Sequence, residues 1–143
     1  MSEVAFHFNV PEKLAHACRI ARKALRYDLR VAVVGAEPDL RRLDRMLWAM
    51  RPTDFVAHCM DDADAFMQRA SPVLLARDAR SGQGRDLLLQ LGAQIPEGFD
   101  AYPRVVEIVS QHGEDERALA RVRWRDYAAR GHSIVRHDVQ QAG

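Results

Sequence analysis

Strand-like runs separated by helix-length apolar patterns predict an α/β domain, with a mostly parallel sheet and helices on both faces. Three observations carry this. Runs such as Val31–Val34 lack polar alternation, as strands covered on both faces do. Between such runs lie stretches long enough for helices, with apolar positions at helical spacing. Parallel neighbours require crossovers of that length. The third is size: 143 residues, 48% hydrophobic and 29% charged, suit a single domain over 1–143 with its own core. The architecture expected is three-layered, of Rossmann-like or flavodoxin-like type.

The elements follow in order. Residues 4–10 read as a strand with Phe6 and Phe8 on one face. Pro11 and Glu12 suit a first helical turn, and Leu14, Cys18, Ala21 and Leu25 recur at helical spacing. Val31–Val34 is a buried strand ended by Gly35. A second helix carries Leu40, Leu43, Leu47 and Met50 on one stripe and is ended by Pro52. Residues 55–58 are expected as the third strand, 61–70 as a short helix or loop, and 72–76 as a strand. Two further strands are expected at 86–91 and 105–109. The last helix spans 114–131, with Gly131 as its C-terminal cap, and 133–139 is an edge strand or a tail.

The usual ligand motifs are missing. The first strand-to-helix turn has no glycine and the second has only Gly35, so no phosphate-binding loop is present. Gly82 and Gly84 form a G-x-G that leads into a strand, where no helix N-terminus receives a phosphate. His58 and Cys59 are adjacent and diverge in a strand, and Asp61, Asp62 and Asp64 lack the glycine and distal glutamate of a calcium loop. No serine sits in a nucleophile elbow. These absences argue against an enzyme and imply no cofactor or metal. Two cysteines and the lack of a leader or an apolar span point to the cytoplasm.

Charge is uneven. Net charge is +1, yet residues 117–143 carry 6 arginines against 2 acids. A basic end on a nearly neutral chain suggests one anionic partner at one place. Stepped at 100° per residue, Ala118, Leu119, Val122 and Ala129 form the expected core stripe of the last helix. Arg117, Arg121, Trp124 and Ala128 share the far side, flanked by Arg125. Arginine forks beside an indole suit a peptide with a terminal carboxylate and an aromatic end, or a nucleotide. Trp48 lies off the apolar stripe of its helix, as interface aromatics do, and Phe55 follows seven residues later.

The chain resembles the chi subunit family of bacterial DNA polymerase III. The resemblance rests on three blocks: 5–8; 43–49 with 55–58; and 105–109 with 120–127 and Gly131. Its order and spacing cover essentially the whole chain, while 77–100 matches poorly. It implies a non-catalytic accessory subunit with a nucleotide-binding-like fold. It implies binding of the acidic C-terminal tail of single-stranded DNA-binding protein, and of the psi subunit of the clamp-loader complex. It also implies that in some bacteria the psi patch serves a helicase. The chain would then be a monomer alone or 1:1 with psi, and would meet DNA only indirectly. By position, the tail site falls on Arg121, Arg117 and Trp124, with Val109 as an apolar wall; the psi aromatics fall on Trp48 and Phe55. The alternatives are a single-stranded nucleic-acid binder and a nucleotide-binding α/β domain.

Overall fold

The computed structural model describes residues 2–49 and 56–140. In chain order these form β1 (Glu3–Val10), α1 (Lys13–Arg26), β2 (Val31–Val34), α2 (Glu37–Trp48), β3 (His58–Met60), α3 (Ala65–Ala70) and β4 (Val73–Ala76). There follow β5 (Leu87–Gln90), β6 (Arg104–Ser110), α4 (Glu114–Ala129) and β7 (Ser133–Asp138). The seven strands make one sheet in the order β3-β4-β2-β5-β6-β1-β7, and every pairing is parallel. The α/β class expected from the sequence is therefore observed.

Alternation along each strand builds two apolar layers. Val31, Val33, Leu87, Leu89, Val106 and Ile108 pack with Ala17, Cys18 and Ala21 of α1 and with Leu40, Leu43 and Leu47 of α2. The opposite face carries Val4, Phe6, Ala32, Leu88, Val105 and Val109, covered by Ala120 and Tyr127 of α4 and by Phe99 and Tyr102. Burying a large apolar side chain stabilises by roughly 1.5–3 kcal/mol.

Several bounds differ from expectation for local reasons. The third strand begins at His58 rather than at residue 55, and pairs with β4 for three residues. Pro72 precedes β4 and has no N–H to lengthen that ladder. Phe55, Met50 and Pro52 lie outside the described residues. The 61–70 segment contains the helix α3, whose N-cap Asp64 accepts a hydrogen bond from the Met67 N–H at 2.8 Å. Residues after Gly131 are an edge strand, not a tail. Gly131 follows the last residues of α4 with φ 86°, a conformation that favours glycine.

The largest correction concerns α4. Its buried residues are Ala120, Arg123 and Tyr127, whereas Leu119 and Val122 are 46% and 53% exposed. Ala118 and Ala129 are also exposed. The helix is thus rotated from the expected stripe. The cause is a buried polar triad: Arg123 Nε donates to Glu107 Oε1 at 3.0 Å, and the Tyr127 hydroxyl donates to Glu107 Oε2 at 2.8 Å. A paired arginine takes the core position that an apolar count gives to leucine.

Two histidines give the fold a pH dependence. Burial, then the neighbouring His16 and His137, lowers His7 from 6.5 to about 4. Burial, then Arg19, does the same to His16. At these two groups the unfolded chain therefore binds more protons than the folded one between pH 6.5 and 4, and their contribution to stability falls as pH drops through that window. Buried Glu107, raised to about 7, acts in the opposite direction. The fall of the urea midpoint from pH 6.5 to pH 4 is expected to be smaller in His16→Gln than in the parent. An undiminished fall in that variant contradicts the assignment.

Candidate functional site

Helix α4 opens after Gly113, whose φ of 93° turns the chain out of β6. Glu114, Asp115 and Glu116 fill its first turn, where the helix dipole favours acids. From there Arg117, Arg121, Trp124 and Arg125 project toward the end of β1. With Phe8, Asn9 and Arg136 they line a cleft of about 490 Å³.

The floor is aromatic. The Trp124 ring centroid lies 5.0 Å from Phe6 and 6.1 Å from Phe8, and Phe6 stacks on Phe8 at 5.8 Å. Trp124 is half-buried. It leans on β1 at the margin of the core rather than standing on a face the core does not use. Asn9 takes φ 59°, which asparagine tolerates, at the point where the β1–β6 register shifts. Its amide donates to Asp138 on β7, at 3.0 and 3.1 Å. Arg136 of β7 places its guanidinium 5.4 Å from the Phe8 ring centroid.

The rim is cationic and already holds one carboxylate. Arg117 donates to the Gln111 carbonyl at 2.6 Å and to Glu114 at 2.7 Å, and Arg121 approaches Glu114 at 3.6 Å. The hydrogen bond and charge of Arg117 hold the Glu114 carboxyl below the usual carboxylate range. Glu114 thus shows what this rim accepts: an anion between two guanidinium forks. An acidic ligand entering between the same two arginines would have to displace it. Glu114→Gln is expected to raise affinity for an acidic peptide several-fold, read by titration at fixed salt; weaker binding would mean that Glu114 organises the arginines rather than competing.

The sequence expectations meet this geometry unevenly. Arg117, Arg121, Trp124 and Arg125 are brought together. Val109 is fully buried in the core layer beneath α4 and does not line the cleft. Ala128 is exposed one turn beyond Trp124 and is likewise outside the lining. Phe8, Asn9 and Arg136 are additions. The Phe6/Phe8 pairing on one strand face was the available signal for the first; Arg136 needed the parallel pairing of β7 with β1.

Trp48 ends α2 and is 62% exposed, its ring 5.1 Å from that of His58. His58 bridges the Val56 carbonyl at 2.7 Å and Asp44 at 2.9 Å. A larger cavity of about 990 Å³ lies at the carboxyl ends of β2, β4 and β5, where nucleotide folds take their ligands. Its arginines are already paired, Arg77 with Asp61 at 3.2 Å and Arg80 with Glu97 at 3.5 Å.

A family model described as DNA polymerase III chi subunit, HolC, matches residues 1–135. The chain belongs to the DNA polymerase III chi subunit family. It is 32% identical over 126 residues to the DNA polymerase III subunit chi of Pseudomonas aeruginosa, covering 87% of this chain and 85% of that protein. It is 30% identical over 119 residues to the subunit chi of Escherichia coli, covering 82% of this chain and 79% of that protein. Membership gives the chain an accessory role in bacterial DNA replication. Among the described residues no helix is long and apolar enough to cross a membrane.

Proposed function

We propose that this chi subunit is a non-catalytic cytoplasmic adaptor. Its α4 cleft takes the acidic C-terminal tail of single-stranded DNA-binding protein, and its Trp48 patch takes the psi subunit of the clamp loader. The observation that supports this best is the pairing of an aromatic floor, Phe8 and Trp124, with the guanidinium rim of Arg117, Arg121, Arg125 and Arg136. Such a cleft matches a terminal aromatic ring, a terminal carboxylate and acidic residues upstream. Arg121 pairs with the carboxylate, the ring lies against Trp124 and Phe8, and the other arginines attract the acids. Attraction between exposed charges is screened over about 8 Å at physiological salt, so the affinity falls as salt rises.

The test uses single-stranded DNA-binding protein loaded on an immobilised strand, intact and with its tail removed. Retention of this chain on the intact protein and loss on the tailless one is expected. Retention on the tailless protein, or on the naked strand, overturns the reading in favour of direct nucleic-acid binding. For the second patch, Trp48→Ala is expected to weaken psi binding at least tenfold and leave tail binding unchanged. Equal loss of both contradicts two separate sites.

A further inference from the structure

Helix α1 carries two lysines, three arginines and no acid. Arg19, Lys23 and Arg26 are exposed and, four and three residues apart, share one stripe of the helix. Beside that stripe, at the start of β5 and β6, lies a cleft of about 350 Å³. Ile20, Leu29 and Leu87 form its floor, and Tyr27, Lys23 and Arg104 form its rim. Tyr27 is 69% exposed. Arg104 opens β6 and alternates with Val106 and Ile108, which pack toward α1, so it enters the cleft from the sheet. Among the described residues, no hydrogen bond or ion pair engages the side chain of Lys23, Arg26 or Arg104. Glu3, the register partner of Arg104 on β1, leaves the sheet on the same face without pairing to it. The helix dipole accounts for Lys23 and Arg26 in the last turn of α1. It does not account for Arg104, which comes from another element, or for an exposed tyrosine beside an aliphatic floor.

We propose that this cleft docks an acidic peptide segment of a partner protein, with one apolar side chain of the segment on the floor and its carboxylates on Lys23, Arg26 and Arg104. Charge complementarity selects the occupant: cations from two elements flank one apolar floor, and none of the three is neutralised by an ion pair. The floor is aliphatic and Tyr27 is the single aromatic residue of the lining. It therefore suits an apolar side chain better than a run of bases, which stacks on successive aromatic platforms. The site is separate from the α4 cleft. It lies on the α1 face of the sheet, while α4 covers the other, so both can be filled together. Its cations are spread along a stripe and a strand rather than focused on one carboxylate, so an internal acidic segment suffices and no free terminus is required.

The test is an NMR titration of the full chain with the peptide Asp-Glu-Asp-Leu-Glu-Asp, acetylated and amidated, which offers acids and one leucine but no terminal carboxylate. Saturable shifts at Lys23, Tyr27, Leu29 and Arg104 are expected, with an affinity that falls as salt rises. The double variant Lys23→Ala/Arg104→Ala, which removes only exposed side chains, should weaken binding at least tenfold. Arg69→Ala, which removes an exposed arginine of α3, should leave it unchanged. A peptide with asparagine in place of leucine should bind several-fold more weakly. Absence of saturable shifts at these residues overturns the proposal, as do shifts confined to the α4 cleft or equal weakening by Arg69→Ala. Equal affinity for the asparagine peptide also overturns it, by reducing the cleft to a charged surface. So does an oligothymidine strand that moves the same residues at lower concentration than the peptide, which would assign the cleft to nucleic acid.

Discussion

Arg121→Ala is expected to cost about 1.5–3 kcal/mol of affinity for the acidic tail, the range for hydrogen bonds to charged groups. That is a loss of roughly 10- to 150-fold. Arg121 is expected to matter more than Arg117 because of what each already holds. Arg117 is tied to the Gln111 carbonyl and to Glu114, at 2.6 and 2.7 Å. Arg121 is 56% exposed and, among the described residues, has only the longer 3.6 Å approach to Glu114, which leaves its fork open to a ligand. Arg121→Lys keeps the charge but not the planar fork, and should recover only part of the loss. Because the side chain is exposed, the urea midpoint of either variant should stay within about 0.5 kcal/mol of the parent. Isothermal titration with the tail peptide reads the effect; unchanged affinity in Arg121→Ala would remove this residue from the site.

Glu107→Ala should destabilise the fold by about 3–5 kcal/mol, the cost of leaving a buried charge unpaired. Glu107 is fully buried and Arg123 is 4% exposed. Burial pushes the Glu107 carboxyl up, and the charge of Arg123 pulls it back. Truncation strands the Arg123 guanidinium, whose remaining contact is the Ala93 carbonyl at 2.8 Å, and orphans the Tyr127 hydroxyl. Both lie on α4, so the same change loosens the helix that carries Arg117, Arg121 and Trp124. Leu119→Ser and Val122→Ser serve as the contrast. They lie on the outer face and should cost about 0.5 kcal/mol or less. Urea unfolding checks all three; a larger loss from Leu119→Ser than from Glu107→Ala would contradict the observed rotation of α4.

The sheet was legible because burial on both faces leaves a plain mark. Val31–Val34 is uniformly apolar and lies within the sheet between β4 and β5. Helix α2 was legible too, since Leu40, Leu43 and Leu47 are its buried residues. Helix α4 was not. Its core position Arg123 is compensated by Glu107, a residue on another element, and periodicity within one helix cannot see such a partner. Two lining residues of the cleft were hidden for a related reason. Arg136 and Asn9 reach it through the pairing of β7 with β1, a contact between the two ends of the chain. Local pattern found the arginines and the indole; the wall opposite them depended on topology. Val109, placed by resemblance alone, proved to be core.

The α4 cleft is proposed to read a terminal carboxylate together with an aromatic ring. Two acidic peptides ending in Ile-Pro-Phe, one with a free carboxylate and one amidated, test it in a single titration followed by Trp124 fluorescence. Trp48→Phe protein isolates that signal, since the chain has 2 tryptophans. Saturable binding of the free peptide, weakened at least tenfold by amidation, is the predicted result. Equal binding of the two peptides, or no binding of either at low salt, would contradict it.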